Sequence, residues 1–223
     1  MAGIIVETPR LQLMQLTSNA EGSVHLDLFH NVWRDKQATQ WSLHGPCENK
    51  TASQAWMAGV IPSTTADRSD ERVCYAVLPR IHSHRPEVSG QGAADDGSES
   101  IGILTLLPIE PIKEELLGSS AANDASRAIG LELGYLFLPS AWGQGFATES
   151  IRAFLEHYLS EKRKSDPQIR IQIQANVHPD NFGSLNVLHK LGFHIFERLV
   201  GEEVVFIGGA SRNKSVVKLW KVL

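Results

Sequence analysis

Cysteine is scarce. Cys47 and Cys74 are the only two among 223 residues, and no Cys-x-x-Cys pair exists, which excludes a zinc knuckle and a disulfide scaffold. Two thiols suit a reducing compartment, although a single bridge between them stays open. A surplus of charge is also missing. The 21 Lys+Arg against 25 Asp+Glu leave a net −4, so bulk electrostatics offer no general attraction to nucleic acid or to an anionic membrane. No apolar run approaches the ~20 residues that span a bilayer. The start, MAGIIVETPR, lacks a basic stretch, and its apolar run Ile4 to Val6 is too short for a signal peptide. Cytoplasm is therefore the expected location. No solenoid or propeller repeat is visible. What remains, 42% hydrophobic and 21% charged, is an ordinary globular composition, and residues 1–223 are read as a single domain.

Periodicity places the elements. Residues 10–16 alternate apolar and polar and read as a strand. Val24, Leu28 and Val32 mark a short helix over 22–33. Ala52, Ala55, Trp56 and Val60 mark another from Thr51, stopped by Pro62. Strands follow at 73–78, 101–107 and 129–138. Ile151, Phe154, Leu155, Tyr158 and Leu159 form the apolar stripe of a helix over 149–164, with Lys162, Arg163 and Lys164 at its solvated end. Residues 169–175 form an alternating strand. A helix spans 184–191 and is closed by Gly192, and another strand begins at Phe193. Residues 203–207 and 215–220 look like a closing hairpin around GGASRNK. Two polar stretches, near 81–100 and 113–127, read as flexible inserts. The class is α/β (α+β): a mixed, mostly antiparallel sheet of six to seven strands with about four helices. At least one crossover is parallel, from 129–138 to 169–175.

The turn Gly143-Gln144-Gly145-Phe146-Ala147-Thr148 joins that strand to the long helix. Glycines let backbone approach an anion without Cβ atoms in the way. The first helical amides lack intrahelical acceptors and sit at the positive end of the dipole. The plain alternative is a glycine-bearing turn with Thr148 as N-cap. A P-loop needs Gly-Lys-Ser/Thr, which does not follow. A dinucleotide fingerprint needs a third glycine where Thr148 stands, and Asp166 precedes the next strand rather than ending it.

Three linked motifs resemble the GNAT superfamily of acyl-CoA-dependent N-acetyltransferases, and within it the ribosomal-protein N-terminal (Rim-type) branch. They are Thr8-Pro-Arg-Leu-Gln-Leu, then Leu133-Gly-Tyr-Leu-Phe-Leu-Pro with Trp142-Gly-Gln-Gly-Phe-Ala-Thr-Glu149, and then Asn181-Phe-Gly-Ser-Leu-Asn-Val-Leu-His-Lys-Leu-Gly-Phe193. The resemblance implies a GNAT-like domain whose central parallel strands splay apart around the acyl group. It implies acetyl-CoA as co-substrate and no metal. Backbone near Phe137 and Leu138 would pair with the pantetheine arm. The amides of Gly143, Gln144, Gly145, Phe146, Ala147 and Thr148 would hold the pyrophosphate. Asn181 and Ser184 would lie near the pantetheine and thioester, with Asn176 at the end of the neighbouring strand. Two departures stand out: Trp142 occupies a position often Gln or Arg, and Leu188 stands where many members carry a tyrosine acid. Ser184 is then a candidate proton donor to the departing thiolate.

The chemistry implied is direct attack of a primary amine, of a protein N-terminus or a small molecule, on the thioester in a ternary complex. A base must take the amine's proton. Glu132 is the first candidate, because it interrupts an apolar strand and projects opposite Leu131, Leu133 and Tyr135. Its bland alternative is a strand carboxylate paired with Arg170. Glu149 reads as a helix N-terminal acid, and His178 as a solvated loop residue, with a place facing the acceptor as its alternative. His82 and His84 lack further metal ligands nearby. Trp33, Trp41 and Trp56 lie in the N-terminal helical region and read mostly as core, although this region commonly walls the acceptor in the resembled family. Two other classes compete: a degenerate acyl-CoA-binding module, and a nucleotide-dependent oxidoreductase. The expected partners are acetyl-CoA and an amine, without nucleic acid or membrane, in a monomer or homodimer.

Overall fold

The computed structural model describes residues 4–62, 71–80, 99–112 and 128–223. Both expected inserts, and with them His82 and His84, lie almost wholly outside these residues. The chain runs β1 (Ile5–Glu7), β2 (Leu11–Gln15), α1 (Val24–Trp33), α2 (Lys50–Met57), β3 (Val73–Pro79), β4 (Gly102–Ile109) and β5 (Ala128–Phe137). It continues with α3 (Phe146–Ser165), β6 (Arg170–Val177), α4 (Phe182–Lys190), β7 (His194–Leu199), β8 (Val204–Ile207), β9 (Ala210–Asn213) and β10 (Val216–Val222).

Eight strands form one sheet in the order β1-β2-β3-β4-β5-β6-β10-β7, and β8 and β9 form a separate hairpin. In the large sheet β5 and β6 pair in parallel, and the other pairs are antiparallel. The parallel register starts at Ala128 opposite Arg170 and ends at Glu132 opposite Gln174. Both strands run on past that point unpaired with each other, so the sheet opens into a wedge.

Alternation along the strands sends residues to two faces. Tyr75, Val77, Leu104, Leu131 and Leu133 pack with Ile151, Phe154 and Leu155 of α3 and Leu188 of α4. Cys74, Ala76, Leu78 and Ile103 pack on the other side with Leu26, Phe29 and Val32 of α1 and Met57 of α2. Asn49 caps α2 through a hydrogen bond from Ala52 N–H at 2.9 Å, and Ser23 caps α1. Cys47 and Cys74 are buried free thiols. Among the described residues no helix is long and apolar enough to cross a membrane.

Four details differ from the sequence reading. The sheet has eight strands rather than six or seven; β1 is a three-residue strand, too short to show a period. The closing hairpin is β8 with β9, whereas β10 inserts between β6 and β7 in the main sheet. Helix α2 ends at Met57, before Pro62 is reached. Helix α3 begins at Phe146, with Gly145 as its N-cap in the left-handed region at φ 80°. Thr148 is therefore a first-turn residue and not the cap.

Candidate active site

The wedge is bordered by two cavities. The first, about 530 Å³, lies against the β5–α3 turn and the start of α4. Its wall includes Phe137, Gly143, Gly145, Ala147, Thr148, Asn181 and Ser184. Gly143 and Gly145 hold φ of 72° and 80°, and a Cβ at Gly143 would meet nothing within 4 Å. The loop therefore presents bare backbone to open space. The first bond of α3 runs from Glu149 N–H to Gly145 O at 3.0 Å. The amides of Phe146, Ala147 and Thr148 have no acceptor among the described residues. Unpaired donors at a helix N-terminus favour an anion.

The loop is held from behind by the turn between β1 and β2. Arg10 Nη1–H donates to Gln144 O at 3.0 Å, and its Nε–H donates to Glu149 Oε2 at 2.7 Å. Thr8 Oγ1–H and Arg10 N–H both donate to Glu149 Oε1, at 2.7 and 3.1 Å. The Arg10 guanidinium lies 4.6 Å over the Phe146 ring. Partial burial pushes the Glu149 carboxyl up. The hydrogen bonds from Thr8 and Arg10, with the Arg10 charge, outweigh that and hold it below its ordinary value. Glu149 is thus a latch as well as a helix N-terminal acid. Gln144 and Phe146 stand outside the cavity wall as side chains.

The strand end is partly committed. Leu138 N–H donates to Ile101 O at 2.9 Å, and Phe137 O accepts from Trp142 Nε1–H at 2.8 Å. Trp142 ties the turn back to β5, which gives that departure from the family pattern a structural role. Leu138 is absent from the cavity wall, where Leu136 and Phe137 stand instead. Asn181 Oδ1 accepts from Ser184 N–H at 3.1 Å, capping α4. Leu188 is fully buried, at 0% exposure, in the core under α3 and α4, away from any reacting group.

The second cavity, about 310 Å³, lies on the α1–α2 side of the wedge. It shares Trp41, Tyr135, Leu136, Asn181 and Ser184 with the first. Glu132 and Asn176 stand in its wall, and Asn176 Nδ2–H donates to Glu132 Oε1 at 3.0 Å. The partner of Glu132 is thus Asn176, and Arg170 sits at the far end of the parallel register opposite Ala128. Trp33, Trp41 and Trp56 also line this space. His178 is not a solvated loop residue. Its side chain is 8% exposed, stacks on Trp41 at 5.4 Å, accepts Asp180 N–H at Nδ1 and approaches Asn213 O with Nε2 at 3.3 Å.

Sequence reasoning missed Tyr135 and Arg10. Tyr135 O–H donates to Ser184 O at 3.2 Å where the cavities meet, and burial pushes its phenol up to about 12. Its hydroxyl stays protonated at neutral pH. Only its alternation on β5 was legible; its reach to α4 is tertiary. Among the described residues no cluster of three or more His, Cys, Asp or Glu side chains is placed to hold a metal.

The sequence profile described as the acetyltransferase (GNAT) domain spans residues 10–194. The chain belongs to the GNAT acetyltransferase family. Membership makes it an N-acetyltransferase by class. It is 33% identical over 64 residues to the uncharacterized protein YkkB of Bacillus subtilis (strain 168), a stretch covering 29% of this chain and 34% of that one, about a third of the relative. Its fold is similar to that of RimL, a ribosomal L7/L12 alpha-N-protein acetyltransferase in complex with coenzyme A, with a TM-score of 0.61 and 18% identity over 99% of this chain and 98% of that one. It is similar also to a spermidine N-acetyltransferase from Vibrio cholerae in complex with CoA and spermine, with a TM-score of 0.59 and 17% identity over 96% of each chain. The mostly antiparallel sheet removes the dinucleotide-dependent oxidoreductase from consideration.

Proposed function

We propose that this GNAT member moves an acetyl group from acetyl-CoA to a primary amine by direct attack, in one cytoplasmic domain. Its own residues suit the donor. Free amides over residues 143–148 and the glycine-lined opening fit a diphosphate, and charge-assisted bonds of that kind contribute roughly 1.5–3 kcal/mol each. The unpaired edge of β5 suits an extended amide-bearing arm, with Phe137 supplying backbone and Asn181 and Ser184 flanking it. Acetyl-CoA supplies the thioester.

The residues divide the proton work. Glu132, held by Asn176, takes the proton of the incoming ammonium. Tyr135 or Ser184 donates to the departing thiolate and takes back the proton that the attacking nitrogen loses as the tetrahedral intermediate collapses, so neither is left as an anion; burial keeps the Tyr135 hydroxyl protonated at rest. What carries the reading is the juncture at Tyr135, Asn181 and Ser184, where the anion-binding cavity meets the carboxylate-bearing one.

Glu132→Gln tests it. The amide keeps the shape but cannot take a proton, so thiol release should fall by about two orders of magnitude while calorimetry finds acetyl-CoA affinity unchanged. Near-normal turnover would remove Glu132 from the proton path. Binding of acetyl-CoA by the parent protein, with no thiol release across an amine panel, would favour a degenerate binding module. Thermal protection by CoA and not by NAD(H) is the expected ligand response.

A further inference from the structure

The cavity that carries Glu132 restricts what can approach the thioester. Glu132 is the only carboxylate in its wall among the described residues, and neither Lys nor Arg lines it. One oxygen of Glu132 accepts from Asn176, and the other has no protein partner among the described residues. Trp33, Trp41 and Trp56 stand in the same wall, and His178, Asn181, Ser184, Thr105 and Ser42 are among its other polar members.

Those rings are braced. Trp33 and Trp56 meet edge to face at 5.4 Å, and His44 closes on Trp56 at 4.1 Å. Trp41 lies between the His178 ring at 5.4 Å and the Arg212 guanidinium at 5.5 Å. Trp33, 8% exposed, and Trp56 each bury an indole N–H with no acceptor among the described residues. Buried donors left unpaired cost stability, which a fold tolerates more readily where a ligand completes the surroundings.

We infer that the acceptor is an amine with one positive charge, an apolar and preferably aromatic body, and no carboxylate beside the nitrogen. This deepens the acetyl-transfer reading and rests on it. The single free carboxylate oxygen matches a single ammonium. A second ammonium, as in a polyamine, would find no second carboxylate in this wall, and the indole faces and neutral hydroxyl and amide groups there attract it by less than the cost of taking an unpaired ammonium out of water. A carboxylate on the acceptor would enter a cavity without a cation and beside Glu132, so it is repelled and left unpaired. An aromatic body loses its water against three indoles and stacks on them.

The same chemistry is offered by a small arylalkylamine and by a peptide that begins with phenylalanine, where the neighbouring carboxyl is an amide. Thiol release is measured with acetyl-CoA and four acceptors: 2-phenylethylamine, a phenylalanine-initiated peptide amide, free phenylalanine and spermidine. The expected result is a kcat/KM at least ten-fold higher for one of the first two than for phenylalanine or spermidine, and which of the two turns over names the source. Trp56→Ala should raise the KM for that amine about ten-fold while the acetyl-CoA dissociation constant, read by calorimetry on the same variant, stays put and reports an intact fold. Spermidine or free phenylalanine matching the preferred amine would overturn the inference. So would acetyl-CoA uptake with turnover of none of the four. Absence of acetyl-CoA uptake would instead sink the acetyl-transfer reading itself.

Discussion

The two faces of the sheet offer different means of binding. On the α3–α4 face the anion-binding surface is main chain: two left-handed glycines, a helix start without acceptors, and an unpaired strand edge. On the α1–α2 face the surface is side chain: three tryptophans, one carboxylate and two asparagines gathered from helices, loops and strands. Backbone can only be shaped by what it omits, so the first surface depends on absent Cβ atoms. The second depends on bulk. Under the proposed function, a fold arranged this way keeps the recognition of a common donor fixed, while the acceptor side can change one ring at a time.

The sharpest way to break this contrast is Gly145→Val. A branched side chain at φ 80° is strained by about 1–2 kcal/mol and displaces amides whose diphosphate bonds contribute roughly 1.5–3 kcal/mol each. Acetyl-CoA affinity should fall about a hundred-fold or more by calorimetry, with the amine KM little changed. Retained affinity would mean that backbone is not the anchor.

Gly208→Ala probes the other face. A Cβ there would meet Trp41 Cη2 at 2.7 Å, and the residue sits at φ 64°. The β8–β9 hairpin must shift and Trp41 with it, destabilising the fold by about 1–2 kcal/mol. In steady-state kinetics the amine KM should rise more than the acetyl-CoA KM. Equal rises would show that Trp41 serves both sides alike.

Arg10→Gln cuts the latch behind the loop without touching the cavity wall. Because Arg10 is about half exposed, the loss is about 1 kcal/mol, or roughly five-fold in acetyl-CoA affinity. Acetyl-pantetheine, which lacks the diphosphate, should react as before. If it loses as much, the latch supports the fold and not the anion surface.

The smallest effect is a titration. His30 Nδ1 lies 2.8 Å from Ser53 Oγ between α1 and α2. Burial, then the charges of Arg34 and Lys50, lower its pKa from 6.5. A histidine lowered in the folded state protonates more readily when unfolded. Its contribution is therefore fully present above 6.5 and lost as pH falls through the lower folded value. The drop in Tm from about pH 7 to about pH 5 should be smaller in His30→Gln than in the parent protein, with acetyl-CoA affinity the same in both. Matching slopes would leave the α1–α2 layer without this sensitivity.

The same contrast decides what the sequence makes readable. The turn at residues 143–148 is contiguous, and its two glycines are demanded by φ, so it is legible as a candidate anion site. Glu132 shows by alternation, because one polar residue among apolar neighbours on a strand must face the other way. The acceptor cavity is not contiguous. Trp33, Trp41 and Trp56 lie within one helical region, yet their meeting with Glu132 needs the sheet. The latch joins Arg10 to Glu149 across 139 positions, and no local period encodes that. Leu188 marks the opposite lesson: a position aligned with a family's tyrosine lies in the core, and Tyr135 of β5 brings a hydroxyl to the wedge instead. Strand β10 looks like half of a hairpin because its amphipathic period says how it faces and not whom it pairs.

The parting of β5 from β6 after Glu132 and Gln174 has one more result. The outer borders of this sheet are β1 and β7, each with one strand neighbour among the described residues. The inner border is a gap within one sheet: a whole neighbouring sheet is broader than it, whereas the arm of the proposed donor is a slender thread with amides of its own. Slimness itself thus becomes a criterion of admission, enforced before any atom of the thread's cargo is inspected.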